Sequence, residues 1–199
     1  MHIRPREEHD FGHLETIARA VHNSDGYPLY MPDDDFRGLL DSPDAIAAWV
    51  AVANGDLIGQ VSLHSCSSPE VNAFIVDQLG LTEDRLGVVA RLIVDPSRRR
   101  AGVARALLDT AEQAAIDRGL TPTLDVVDQF APAIALYERQ GWTRMGTVSI
   151  DLPDATTINE HVYVAPSGSR RRSDVPVKPR VGDEHGEWPP TWILMSRIP

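Results

Sequence analysis

At 199 residues the chain is long enough to build one hydrophobic core of ordinary size. Its 29 acidic and 19 basic residues give a formal charge of −10, which argues against a general nucleic-acid binder and makes any arginine cluster a local patch. The single cysteine, Cys66, excludes an internal disulfide and a cysteine-rich metal site, and with no N-terminal signal pattern and no apolar run of membrane-spanning length, a soluble cytoplasmic protein without a membrane partner is expected.

In chain order, residues 2–5 read as a short first strand. From 7 to 22 the apolar positions Phe11, Leu14, Ile17, Ala18 and Val21 fall on one helical stripe. The stretch 23–35, NSDGYPLYMPDDD, is dense in turn-forming residues and reads as a loop. A short helix is expected over about 33–41, capped by one of Asp33, Asp34 and Asp35, with a further helical turn around 43–47. Strands at 48–53 and 57–64 flank Asn54-Gly55, the strongest short hairpin signal in the chain. Residues 65–86 read as a loop holding a helical turn at 70–79. A strand at 88–94 follows, then a helix that starts after Gly102 and closes at Gly119 with Pro122 beyond. A strand at 123–127 precedes a helix with Pro132 in its first turn and Gly141 at its end. Residues 142–152 and 158–165 form a closing antiparallel pair.

The segment 88–108, VVARLIVDPSRRRAGVARALL, carries the clearest chemistry. A β-branched apolar run ends at Asp95-Pro96, a basic turn follows, and Gly102 precedes the helical pattern. The first backbone N–H groups of a helix have no intrahelical partner, and together with the helix dipole they favour an anion. Gly102, lacking a Cβ, lets a ligand approach the backbone, and neighbouring arginines add charge-assisted hydrogen bonds. The plainer reading is an exposed basic turn before an ordinary helix. No Gly-Lys-Ser/Thr follows, so this is not a Walker loop, and the three spaced glycines of a dinucleotide fingerprint are missing.

Arg99-Arg100-Ala101-Gly102-Val103-Ala104, preceded by Leu92-Ile93-Val94-Asp95-Pro96, resembles the Arg/Gln-x-x-Gly-x-Gly/Ala turn and central strand of the GNAT superfamily of acyl-CoA-dependent N-acyltransferases. A second segment, Pro132-Ala133-Ile134-Ala135-Leu136-Tyr137, ended by Gly141-Trp142, is similar to that family's Ala-x-x-x-Tyr helix. The two lie in the family's order, about 35 residues apart with a strand between, and the resemblance spans roughly residues 1–165. It implies an α/β fold: a mixed, mostly antiparallel twisted sheet of six to seven strands flanked by helices, with a splayed central strand pair, here 88–94 against 123–127.

The resemblance also implies acetyl-CoA as co-substrate and an amine-bearing acceptor attacked directly on the thioester. Residues 99–104 would take the pyrophosphate, the edge of Leu92, Ile93 and Val94 the pantetheine amides, and Phe130 and Ala133 the cofactor arm. Tyr137 would donate a proton to the departing sulfur; its plainer reading is core packing. Tyr27, Tyr30 and the Asp33–Asp35 run lie where the family places its acceptor loop, and Arg91, unusual in an apolar strand, reads as a substrate or pyrophosphate contact or as a side chain reaching solvent at a sheet edge.

Two departures stand out. Phe130 replaces an asparagine common in relatives, and Val88 stands where a glutamate base is frequent. The base is left among Glu70, Asp77, Glu83, Asp84, Asp125 and a water chain, with His64 read as structural or as a site residue. No metal site and no Gly-x-Ser-x-Gly motif is visible. Residues 1–166 are read as the acetyltransferase domain. Residues 167–199 are read as a basic, proline-bearing tail whose apolar end, at 192–195, docks on its own domain or on a neighbour in a homodimer. A CoA-binding module of weak activity is the alternative, motivated by Phe130 and the missing base. A nucleic-acid or partner binder using the arginines is the third reading, against which the net acidity weighs.

Overall fold

The computed structural model describes residues 1–152 and 156–166; the tail and its expected docking segment lie outside the described residues. Within the described residues seven strands form one sheet: β1 (His2–Pro5), β2 (Ala45–Ala53), β3 (Asp56–His64), β4 (Leu86–Val94), β5 (Thr121–Val127), β6 (Thr143–Asp151) and β7 (Thr157–Val164). Their order is β1-β2-β3-β4-β5-β7-β6, with every neighbouring pair antiparallel except β4 and β5. Among the described residues five α-helices cover the two faces: α1 (Phe11–Asp25), α2 (Phe36–Leu40), α3 (Pro69–Leu79), α4 (Val103–Asp117) and α5 (Ala131–Arg139).

Strand alternation sorts the core into two layers. Val50, Val52 and Ile93 point to the face covered by α1 and α2, which bring the expected stripe of Phe11, Leu14, Ile17, Ala18 and Val21. Leu86 and Val162 meet Val71 and Ile75 of α3 on that same side. Val61, Leu63, Val89, Val94, Leu124 and Val126 point the other way, onto Leu107, Leu108 and Ala111 of α4 and Tyr137 of α5.

Several expectations needed only local chemistry and match. Asn54 and Gly55 both sit at positive φ, 55° and 88°, which joins Ala53 directly to Asp56 as a two-residue hairpin requires. Asp35 caps α2 by accepting from the Gly38 N–H at 2.8 Å. Gly119, at φ 73°, closes α4. Two expectations change. The turn at 43–47 gives way to the start of β2 at Ala45, where cross-strand pairing to His64 and Leu63 overrides the helix preference of alanine. The helical turn at 70–79 is a full eleven-residue helix, α3, begun by the Ser68 side chain accepting from Val71 N–H with Pro69 in the first turn, and ended by Gly80 at φ 61°.

Gly59 of β3 packs directly against the backbone of β4. A Cβ there would lie 2.7 Å from the Ile93 carbonyl oxygen, which is backbone and held in register with Gln60. Gly59→Ala is therefore expected to cost ~1–3 kcal/mol as the strands move apart, read from the urea midpoint at constant slope. A loss under about 0.5 kcal/mol would mean that this strand pair yields without cost.

Candidate active site

The sheet opens in its middle. β4 and β5 pair only at Leu86↔Thr121, Gly87↔Pro122 and Val88↔Thr123. Beyond Val88, β4 continues against β3 while β5 continues against β7, so the two parallel strands diverge and the β5-facing edge of β4 has no strand partner. A cleft of about 1550 Å³ fills the gap, with Leu92, Ile93, Val94, Val103, Ala104, Phe130, Ala133 and Tyr137 in its wall.

A bulge aims one side chain into this cleft. Between Gln60↔Ile93 and Ser62↔Ala90, β3 spends one residue where β4 spends two, Arg91 and Leu92. Arg91 absorbs the mismatch at φ 52°. Strict alternation from Val89 would send Arg91 toward α4; the extra residue turns it to the α1 side instead, where its Nη1 lies 3.5 Å from the Tyr27 hydroxyl. β4 is the central strand, so Arg91 does not reach solvent at a sheet edge. Its Nε is buried and has no hydrogen-bond partner among the described residues. Burial alone would lower the pKa of Arg91, but Tyr27, Asp125 and Glu160 outweigh it and raise the value.

One end of the cleft is the turn before α4. Gly102, the N-cap of α4, is left-handed at φ 76°, and an added Cβ would meet no atom within 4 Å. Arg100 is left-handed as well, at φ 64°, is exposed, and makes no hydrogen bond or ion pair to a described residue. Arg99 is engaged: both terminal guanidinium nitrogens hold the Asp25 carboxylate, at 2.9 and 2.5 Å, tying the turn to the last residue of α1. Arg98 pairs with Asp56 at 3.3 Å. Ala101 is exposed and does not line the cleft. A free guanidinium, unpaired helix N–H groups and an open left-handed glycine together suit a phosphate.

Tyr137 stands in the second turn of α5, 8% exposed, with its ring 6.4 Å from Trp142 and 6.0 Å from Tyr163. Its hydroxyl has no hydrogen bond to a described residue, and burial pushes its pKa well above the ordinary phenol value. Phe130, the N-cap of α5, has no side-chain cap to offer; its ring packs edge-on against Tyr27 at 5.8 Å. Phe130 thus joins the start of α5 to the loop after α1, whose Tyr27 and Tyr30 also line the cleft. Two acids of that loop act locally: Asp34 pairs with Arg19 at 3.0 Å, and Asp35 caps α2.

The far end of the cleft is acidic. Asp125 accepts from the Ser67 hydroxyl at 2.7 Å, and Glu70 of α3 and Glu160 of β7 line the same wall. Asp77, Glu83 and Asp84 lie away from it. His64 is buried beside this wall; Ser62 Oγ donates to the Ala90 carbonyl, so it accepts from His64 Nε2–H at 2.9 Å. Burial, reinforced by Arg91 and Arg6, lowers the His64 pKa to about 3, leaving a neutral imidazole. Glu160 escaped the sequence reading, yet it carries a signal. It occupies the apolar phase of β7, between Ile158 and Val162.

Among the described residues no group of His, Cys, Asp and Glu could hold a metal ion, and no helix is long and apolar enough to cross a membrane. The sequence model of the Acetyltransferase (GNAT) family matches residues 11–142. No curated protein matches the chain. Solved structures of similar fold include a ribosomal-protein-alanine N-acetyltransferase from Brucella melitensis, 20% identical over 82% of this chain and 98% of that one, with a TM-score of 0.63. Another is NAA60 from Arabidopsis thaliana in complex with acetyl-CoA, 22% identical over 82% and 96%, TM-score 0.62. A third is an aminoglycoside 6'-N-acetyltransferase complexed with coenzyme A, 14% identical over 87% and 100%, TM-score 0.60.

Proposed function

This chain belongs to the GNAT acetyltransferase family, and from that membership we propose that it transfers an acetyl group from acetyl-CoA to a primary amine by direct attack, with Tyr137 as the proton donor. The observation that carries the reading is the divergence of β4 and β5 beyond Val88, with a phosphate-suited turn at one end and Tyr137 in the wall. Gly102, Arg100 and the first N–H groups of α4 would hold the pyrophosphate, and the free edge from Leu92 to Val94 would pair with the pantetheine amides as a further strand would.

Bound acetyl-CoA supplies a thioester carbonyl open to attack and a sulfur that can leave. This chain's residues do the rest. The acidic wall attracts the acceptor, which arrives as an ammonium because a lysine-like amine has a pKa of ~10.4. Tyr137 keeps its proton at neutral pH and faces a thiol of pKa ~8.5 as it departs. The acceptor is a small molecule or a protein amine, and the neighbours include enzymes named for both kinds.

Thiol release from acetyl-CoA, followed across polyamines, amino acids, aminoglycosides and peptides, tests the reading. At least one class should raise release well above the rate with water alone. CoA binding with no amine-dependent release from any class would leave a binding module instead.

Arg99 and Arg100 should now separate. Arg100→Ala is expected to weaken CoA by ~1.5–3 kcal/mol while leaving phosphate-free pantetheine unaffected. Arg99→Ala, which breaks an exposed pair with Asp25, should cost stability ~0.2–1 kcal/mol and less CoA affinity than Arg100→Ala. Calorimetry with both ligands checks this; equal losses from Arg100→Ala on both ligands would show that it does not read the phosphates.

A further inference from the structure

The reaction needs a proton acceptor, and β4 offers none, since Val88 occupies the position where relatives often carry an acid. Two of the carboxyl groups that line the cleft come from the neighbouring strands β5 and β7. Asp125 of β5 stands opposite Val162 of β7, and Val127 stands opposite Glu160. Asp125 and Glu160 are therefore diagonal neighbours on one face of an antiparallel pair, close enough for two carboxyl groups to interact directly. Both face the cleft wall.

Their surroundings differ. Burial raises the pKa of Asp125, and the Ser67 hydroxyl, from which it accepts at 2.7 Å, and the nearby Arg91 guanidinium oppose that rise by favouring its ionised form. Glu160 makes no hydrogen bond to a described residue and is only partly enclosed, so its oxygens remain available to a ligand. We propose that Glu160 is the catalytic residue that receives the acceptor's proton, and that Asp125, fixed by Ser67, positions that proton on Glu160 by like-charge repulsion. The proposal rests on the acetyltransferase reading above.

The charged groups acting on Glu160 are Asp125 from β5, Arg91 from β4 and Glu70 from α3. Burial is the largest influence, Asp125 adds to it, and Arg91 opposes both; the Glu160 pKa rises to about 8. Such a group can hold or release a proton near neutral pH, which suits an acid–base role. His64 and Tyr137 also line this cleft, but the imidazole is too weak a base to take that proton, and the phenol, still holding its own, can accept one only as it gives one up.

The protons balance. An ammonium loses two on becoming an amide. Glu160 takes the first from nitrogen to a carboxylate oxygen, which frees the lone pair that forms the C–N bond. The second replaces, on Tyr137, the proton that this phenol gives to sulfur as the C–S bond breaks. Glu160 then returns its proton to solvent, so one proton is released per turnover and no redox partner is needed.

The test compares kcat/KM against pH for wild type, Glu160→Gln and Asp125→Asn with the same amine, so that the amine's own titration cancels. Wild type should show an acidic limb near pH 8. Glu160→Gln should lose that limb and about a hundredfold in rate, with CoA affinity retained. Asp125→Asn should move the limb to lower pH, an effect that a merely structural carboxylate would not have.

Stability supplies a readout independent of turnover. The unfolded chain ionises Glu160 near 4.5 whereas the fold keeps the proton until about 8. Wild type should therefore lose stability relative to Glu160→Gln as pH rises from 4.5 to 8, and no further above that. Parallel stability curves, an unmoved limb in Asp125→Asn, or a Glu160→Gln rate within threefold of wild type would each overturn the proposal. If no amine draws thiol from wild type, the acetyltransferase reading falls and the catalytic role with it. An active wild type with an indifferent Glu160→Gln overturns the role alone.

Discussion

Tyr137→Phe should lower turnover by ~10²–10⁴ and leave the dissociation constant for CoA nearly unchanged. The ring is locked between Trp142 and Tyr163, and phenylalanine preserves that packing. The hydroxyl makes no hydrogen bond to a described residue, so its removal strands no protein group. What is lost is the donor. Burial makes this phenol a weaker acid than usual, while the departing thiol has a pKa of ~8.5, so complete transfer from Tyr137 to sulfur would be uphill on its own. Transfer becomes favourable only if the proton leaving the amine refills the phenol in the same step. The loss in Tyr137→Phe should therefore lie toward the lower end of the range, with the hydroxyl acting as a relay and a hydrogen-bond donor to developing charge. Single-turnover thiol release and calorimetry for CoA give the two numbers. A fall in rate under threefold would reduce Tyr137 to core packing, and an equal loss in CoA affinity would make it a cofactor-positioning residue.

How far the sequence could be read depends on how local each determinant is. The helical stripe of α1, the Asn54-Gly55 turn and the Gly102 turn each declare themselves within a few residues, because periodicity and left-handed backbone demands are written in adjacent side chains. The helix α3 was hidden by its own start. Ser68-Pro69-Glu70 reads as loop chemistry until Ser68 is seen as a cap and Pro69 as its first turn, with Gly80 eleven residues on as the stop. The cleft's electrostatics were less legible. An arginine at φ 52° in the central strand has no sequence signature, so the bulge that turns Arg91 toward Tyr27 had to come from the pairing with β3. Arg99 finds Asp25 across 74 residues of chain, which makes it a tether as well as a charge. The Asp125–Glu160 juxtaposition depends on β7 inserting between β5 and β6, a non-local choice that no spacing within either strand encodes.

Gly102→Asp should abolish most CoA affinity, by a hundredfold or more, equivalent to about 2.7 kcal/mol, while the fold stays intact. The substitution separates two roles that usually fail together. At φ 76° most side chains are strained, but aspartate is among the few that visit the left-handed region readily. The position is the N-cap of α4, where a carboxylate can accept from the next N–H groups and complement the helix dipole. The space around the missing Cβ is open, so the new side chain displaces no protein atom. The helix should thus be as stable as in wild type or slightly more so. The same carboxylate would occupy the donors that the pyrophosphate needs and set a negative charge against it. Stability and affinity are therefore expected to move apart, the urea midpoint holding or rising while calorimetry shows CoA binding lost. Gly102→Ala supplies the control, since it adds backbone strain without charge and should weaken CoA far less. A folded Gly102→Asp protein that binds CoA as wild type does would remove the phosphate from this turn, and with it the orientation assigned to the cofactor along β4.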